Sequence, residues 1–167
     1  MEIIQATEKD LQSILDLMSK VVENLSKKGI FQWDSSYPNK DIFLSDIKNN
    51  SLYVIKDDNS YLGTITLNEE QAPEYCNVDW LTSNKKTLVI HRLAVSPDYQ
   101  GKGIGKKLIN FAEQLGYKKN YDSIRLDAFS KNLNSVNFYK KCGYIKTGEV
   151  YFRYQTSPFP CFEKVLY

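Results

Sequence analysis

The spacing of apolar residues changes several times along this chain, and each change marks an element. Glu2 to Ala6 reads as a short first strand. Leu11, Ile14, Leu15, Met18, Val21, Val22 and Leu25 then recur at helical spacing and predict an amphipathic helix. Thr7 is a suitable N-cap, with Asp10 three residues on as a short capping box, and Gly29 is a natural stop. A second helix is expected over 39–48, with Ile42, Phe43 and Ile47 on one side. Ser51 to Lys56 and Tyr61 to Leu67 are strands joined by the polar turn Asp57-Asp58-Asn59-Ser60, and Gly63 suggests a bulge in the second. Residues 68–86 show no clear period and contain Pro73, Glu69, Glu70, Asp79 and Trp80. A connection this long is often functional, and a variable flap or an extra turn beside a pocket is expected.

The longest informative run is 87–116. Leu88 to Val95 is mostly apolar and β-branched, as a buried strand should be, and Ser96-Pro97-Asp98 ends it. Gln100-Gly101-Lys102-Gly103-Ile104-Gly105 follows. Ile104, Leu108, Phe111, Ala112 and Leu115 then predict a helix, with Gly116 as its stop. Beyond it lie a strand over 123–129, a short helix over 134–141, a strand over 144–151, a break at 156–160 and a last strand over 161–166. In the 123–129 strand Ile124, Leu126 and Ala128 alternate with Arg125, Asp127 and Phe129.

The chemistry suggested by 100–105 is phosphate binding. Glycines remove the Cβ atoms that would block a ligand, and successive N–H groups in such a turn can converge on one anion. The helix that follows points its unpaired first N–H groups and positive dipole end at the same place. Lys102, Lys106 and Lys107 add cationic charge. The competing view is a strand-to-helix turn that merely happens to be glycine-rich. No Gly-x-x-x-x-Gly-Lys-Ser/Thr run is present, and the loop runs Gly-x-Gly-x-Gly rather than Gly-x-Gly-x-x-Gly, which sets aside both common nucleotide loops.

Leu93-Ala94-Val95, Pro97 and Gln100-x-x-Gly103-x-Gly105 at a helix start resemble the acyl-CoA-binding motif of the GNAT superfamily of N-acetyltransferases. Downstream, Asn132-x-x-Ser135-x-x-Phe138-Tyr139 and then Gly143-Tyr144 are similar to that family's Asn-x-x-Ala-x-x-Phe-Tyr and Gly-Phe, with serine replacing alanine. The resemblance implies an α/β (α+β) GNAT fold over 1–167 as one domain. Its sheet would be mixed and strongly twisted, of about seven strands with helices on both faces, in the order βααβββαβαββ.

It also implies transfer of an acetyl group from acetyl-CoA to a primary amine of a small molecule or peptide. The backbone of Leu93, Ala94 and Val95 would hold the pantetheine arm and thioester. Gln100, Gly101, Lys102, Gly103, Ile104, Gly105 and Lys106 would take the pyrophosphate. Asn132 would bond the arm, or simply lead its helix, and Ser135 is small enough to leave room. Tyr139 would protonate the departing thiolate, since a phenol with pKa near ~10 is protonated at neutral pH; otherwise it is a packed helix tyrosine.

The resemblance makes His91 the candidate base, since some relatives carry a proton-relaying histidine or glutamate just upstream of the thioester, and period-two alternation puts it on one face with Val89, Leu93 and Val95; Asp79 and Glu69 are reserves, and a structural histidine is the competing view. Gln32, Trp33 and Trp80 are candidate substrate contacts, or residues that pin their loops. The alternative function is a non-catalytic acyl-CoA-binding sensor or interaction module.

Composition narrows the rest. A chain of 167 residues with net charge +2 is long enough for a sizeable core and gives no electrostatic case for nucleic acid or an anionic membrane. Cys76, Cys142 and Cys161 are odd in number and unclustered, which fits a reducing cytoplasm, and the single histidine argues against a metal site. No apolar run is long enough to span a bilayer. The last strand and its proline loop are a candidate homodimer surface.

Overall fold

The element order in the computed structural model is the expected βααβββαβαββ. The structure describes residues 1–83, 85–152 and 154–166; Asn84 in the expected flap, Arg153 and the terminal Tyr167 lie outside the described residues. The strands are β1 (Glu2–Gln5), β2 (Leu52–Asp57), β3 (Ser60–Asn68), β4 (Thr87–Val95), β5 (Ser123–Asp127), β6 (Ile145–Val150) and β7 (Phe159–Val165). The helices are α1 (Leu11–Lys27), α2 (Lys40–Lys48), α3 (Ile104–Lys118) and α4 (Leu133–Lys141). The sheet is open and mixed, in the order β1-β2-β3-β4-β5-β7-β6, with β4 and β5 parallel. The chain divides into two compact units, Met1–Leu67 with His91–Phe111 and Asn68–Ile90 with Ala112–Tyr167.

In the first unit, the Asp10 carboxylate accepts from the Thr7 N–H and hydroxyl at 2.8 and 2.9 Å, so the short capping box forms and starts a 3-10 turn that leads into α1. Asn39 caps α2 by accepting from the Ile42 N–H. The apolar faces of both helices meet β1 and β2 in one core, where Ile14, Phe43 and Leu52 are fully buried. Truncating Phe43 to alanine there is worth about 3–5 kcal/mol. The bulge expected near Gly63 is present: Ile55 pairs with Gly63 but Lys56 pairs with Tyr61, so β3 carries one extra residue. A Cβ on Gly63 would stand 2.8 Å from the Ala94 carbonyl oxygen, which explains why the strand carries glycine at this point.

In the second unit, β5 is flanked by β4 in parallel register from Thr87↔Ser123 to Val89↔Arg125, and by β7 in antiparallel register from Ser123↔Val165 to Asp127↔Cys161. Two sequence expectations are corrected here. Gly116 does not end α3. It is buried inside the helix, where a Cβ would lie 2.6 Å from Leu166 Cδ1, so glycine serves close packing. The helix ends instead at Asn120, whose φ of 56° is left-handed; the N–H groups of Asn120 and Tyr121 bond back to Tyr117 and Gly116 in a Schellman arrangement. Pro160 does not break the last strand either. It pairs with Glu149 in β7, and its carbonyl accepts from the Ala128 N–H, a bond that needs no donor from proline.

The 68–86 connection carries an extra turn, the 3-10 turn Pro73–Asn77, and is tied down among its described residues. Arg125 and Glu163 face each other on β5 and β7, 6% and 0% exposed, and their charges are joined at 3.1 Å. Glu163 also accepts from the N–H groups of Leu81 and Thr82 and from the Thr82 hydroxyl. Arg125 donates to Gln71 Oε1 and to the Thr82 carbonyl, and its guanidinium lies 4.3 Å from the centre of the Trp80 ring. Burial alone would push the Glu163 pKa up, but hydrogen bonds from Thr82, Ser123 and Arg125 hold it below the ordinary carboxylate value. A buried ion pair of this kind requires its partners: removing one charge strands the other.

Candidate active site

The first unit holds the glycine-rich turn. A 3-10 turn over Pro97–Tyr99 leads from β4 to Gln100, and α3 begins at Ile104. Gly101 and Gly103 have φ of 75° and 79°, a region where glycine carries no Cβ penalty. A Cβ built on either would meet nothing within 4 Å, so the space above the turn is open. The Lys107 N–H bonds to the Gly103 carbonyl, which makes Gly103 the residue that opens the helix. The N–H groups before it therefore have no partner of their own within α3. Gly101, Lys102 and Gly103 are exposed, Ile104 anchors the helix in the core, and Gly105 is half-buried. The Gln100 amide donates to the Val95 carbonyl, and Lys102 donates to the Asp98 carbonyl while its ammonium lies 5.0 Å from the centre of the Tyr99 ring. Lys106 is exposed. An exposed, left-handed, amide-rich turn at a helix start suits a pyrophosphate.

Upstream on β4 the simple alternation fails. Arg92 has φ of 48°, a strained conformation for a side chain with a Cβ. Its guanidinium is fixed by the buried Asp46 carboxylate at 2.7 Å, by the Tyr37 hydroxyl at 2.9 Å, and indirectly by the Thr66 hydroxyl on Asp46. The kink breaks the period-two face that was expected to join Val89 and His91 to Leu93 and Val95. Ala94 is the core residue of the triplet, whereas Leu93 and Val95 are half-buried, as is His91. Gln32 and Trp33 sit in the loop between α1 and α2; Trp33 packs on the first unit's core, and Phe31 is 65% exposed.

The second unit holds two titratable groups with raised proton affinity, Tyr139 and Asp127. Tyr139 lies on the inner face of α4, 7% exposed, with its ring against Phe162 and Tyr144. Burial and then the nearby Asp127 charge push its phenol pKa far up, so it stays protonated throughout the working range. Asp127 ends β5. Burial drives its carboxyl up to about 6, against the hydrogen bond that the Tyr75 hydroxyl donates at 2.6 Å. A phenol that keeps its proton and a carboxyl raised to about 6 thus lie within electrostatic reach of each other; proton affinities set apart in this way can separate acid and base roles.

From sequence Asp127 is placed only in an alternating strand and is not among the candidate site residues. The available signal was its place at the carboxyl end of a sheet strand, where open α/β sheets bind ligands. Asn132 caps α4 by accepting from the Ser135 N–H at 3.3 Å, so its leading-turn role is realised. Ser135 is half-buried in the first turn of α4. The Trp80 indole N–H donates to the Tyr75 carbonyl, and its ring packs on Tyr75 at 4.9 Å. Among the described residues no cluster of three or more His, Cys, Asp or Glu side chains could hold a metal ion, and no helix is long and apolar enough to cross a membrane.

Comparison with known proteins bears on both halves of this picture. Residues 18–144 match the model of the Acetyltransferase (GNAT) family. The S-(2-succino)cysteine N-acetyltransferase of Bacillus subtilis is 28% identical over 148 residues, 86% of this chain and 84% of that protein. The streptothricin acetyltransferase of Escherichia coli is 33% identical over 78 residues, 47% of this chain and 45% of that protein. Among solved structures, a GNAT-family acetyltransferase from Streptococcus agalactiae superposes with TM-score 0.86 at 22% identity, covering 99% of this chain and 95% of that one. The PaiA N-acetyltransferase of Thermoplasma acidophilum, solved in complex with coenzyme A, superposes with TM-score 0.73 at 22% identity over 99% and 98% of the two chains.

Proposed function

Because the chain belongs to the GNAT acetyltransferase family, we propose that it transfers the acetyl group of acetyl-CoA to a primary amine of a small molecule or peptide by direct attack on the thioester. The observation that carries this reading is the open turn at Gly101 and Gly103, left-handed with free space beyond; Asp127, whose carboxyl burial raises to about 6, and Tyr139, whose phenol burial keeps protonated, are the candidate base and acid. The amine must lose a proton to attack, and Asp127, ionised above about 6, accepts it, directly or through water. The thiolate of CoA must gain one to leave, and Tyr139 supplies it. His91 remains a candidate proton carrier, and removing each group in turn separates the two assignments.

Acetyl-CoA fits the first unit's turn on its own geometry. The open space above Gly101 and Gly103 admits phosphate oxygens to backbone N–H groups from Gln100 to Gly105, with Lys106 adding charge. The N–H groups of the Leu93-Ala94-Val95 run are our candidates for the pantetheine arm and the thioester oxygen. Asn132 and Ser135, at the start of α4, are our candidates for the arm's further end. Gln32 and Trp33 are proposed to border the acceptor, and Trp80 to act on it only through its loop. The acceptor is read as small because the relative matched along most of its length is named for a modified cysteine. Three free cysteines, two of them buried, support a reducing compartment such as the cytoplasm.

Thiol release from acetyl-CoA, followed across a panel of amino acids, S-substituted cysteines, polyamines and short peptides, tests the proposal. Amine-dependent release that falls with Tyr139→Phe is the expected result. Saturable acetyl-CoA binding without release on any amine would favour the non-catalytic sensor.

A further inference from the structure

The Tyr75 hydroxyl is buried on a 3-10 turn, Pro73–Asn77, in the connection between β3 and β4. It donates to Asp127 Oδ2 at 2.6 Å. Nothing in the local packing requires a hydroxyl there: the ring alone fills the small core with Val78, Val89, Val150 and Cys161. Yet the turn is braced as if its placement mattered. Trp80 donates to the Tyr75 carbonyl and stacks on its ring, Arg125 lies over Trp80, and Glu163 holds Leu81 and Thr82. These restraints run from the buried Arg125–Glu163 pair to one phenol, which ends on one carboxylate oxygen.

We propose that Tyr75 is a positioning residue for the acetyl-transfer base: its hydroxyl orients the Asp127 carboxylate and sets how readily that carboxylate accepts a proton. The inference rests on the reading of Asp127 as the base. A hydrogen bond given to the ionised form favours that form, so Tyr75 opposes the effect of burial. The other titratable groups around Asp127 are Glu74 on the same 3-10 turn, Tyr139 on α4, Cys161 on β7 and Arg125 on β5. The stretch of β4 registered beside β5, Thr87–Val89, contributes none. Tyr139 and Cys161 keep their protons near neutrality, since burial raises both; Glu74 makes ionisation of Asp127 harder. Tyr75 is therefore the neutral donor that keeps the base usable at physiological pH. Its own phenol is pushed far up by burial and by Asp127, so it donates without ionising.

The test is an NMR titration of the full chain with 13C-labelled aspartate carboxyls, in wild type, Tyr75→Phe and Asp127→Asn. The signal missing in Asp127→Asn identifies the residue. Its midpoint should lie near 6 in wild type. In Tyr75→Phe it should rise by about one pH unit, the scale of a hydrogen bond to a charged group. An unmoved midpoint overturns the proposal.

Wild type supplies a second reading that needs no folded variant: with 13C-labelled tyrosine, the Tyr75 ring carbon bearing oxygen should shift with the same midpoint as Asp127. A flat signal between pH 4 and 8 overturns the proposal equally. In turnover, the acid limb of kcat/KM should move up with the NMR midpoint in Tyr75→Phe while the alkaline plateau holds. A uniform loss of rate at every pH would mark a structural role and overturn the positioning role. Failure of the base reading looks different: Asp127→Asn would then turn over at the wild-type rate, whatever the NMR midpoints.

Discussion

The glycine-rich turn and the Asp127–Tyr139 pair do opposite things with water. The turn is exposed, carries its chemistry on backbone N–H groups, and needs side chains to stay out of the way: Gly101 and Gly103 hold left-handed φ with open space beyond. Of the pair, Tyr139 is buried and Asp127 half-buried; their proposed chemistry lies on side chains and depends on desolvation to set two proton affinities apart. Binding a polyanion calls for many fixed donors in reach of solvent, whereas moving a proton at neutral pH calls for pKa values displaced by burial. Substitutions in the turn should therefore act on cofactor affinity with the pH profile unchanged, and substitutions in the pair should do the reverse.

The largest break is Gly103→Val. A β-branched residue at φ of 79° strains the turn and puts methyl groups where phosphate oxygens would come. Acetyl-CoA affinity by calorimetry should fall by about 10⁴-fold or more, the loss of two or more charge-assisted hydrogen bonds at up to ~3 kcal/mol each. A normal dissociation constant would remove the turn from the site.

Asp127→Asn comes next. Turnover should drop by about 10²–10⁴ and lose its acid limb, with acetyl-CoA affinity nearly intact. The same change should stabilise the fold at pH 7.5. A carboxylate whose folded pKa is raised to about 6 contributes stability at low pH and loses it as pH rises through that value. Above it, the buried charge is a cost that asparagine removes. A melting temperature higher by a few degrees in the variant is expected, with the gain shrinking towards pH 4. A variant that is less stable at pH 7.5 would mean that burial does not penalise this charge.

Tyr139→Phe keeps the ring in its aromatic cluster and removes only the proton donor. Turnover should fall by about ten- to several-hundred-fold, at or below the usual range for one acid–base group, with CoA binding unchanged. His91→Ala is the smallest. If Asp127 is the base, the acid limb near 6 survives this change. A limb lost in His91→Ala and retained in Asp127→Asn would reverse the assignment and make the histidine the proton carrier.

What the sequence determined by itself was whatever depends on local backbone demands. Element order followed from changes in apolar period, the turn from three glycines that only an unusual backbone needs, and the cap at Thr7 from residues that bond their own neighbours. The motif spacing that singled out Tyr139 falls within one short helix, where the structure places it.

The tertiary structure decided whatever depends on partners distant in the chain. Gly116 has the look of a helix stop, but Leu166, fifty residues on, makes it a packing glycine. Pro160 looks like a strand breaker, yet its carbonyl serves Ala128 on the neighbouring strand. Alternation along β4 was broken by the kink at Arg92, which a carboxylate from α2 secures. Asp127 is an ordinary strand residue until burial and a tyrosine 52 positions away set its proton affinity. Desolvation is a property of what surrounds a group, and period and spacing carry no record of it.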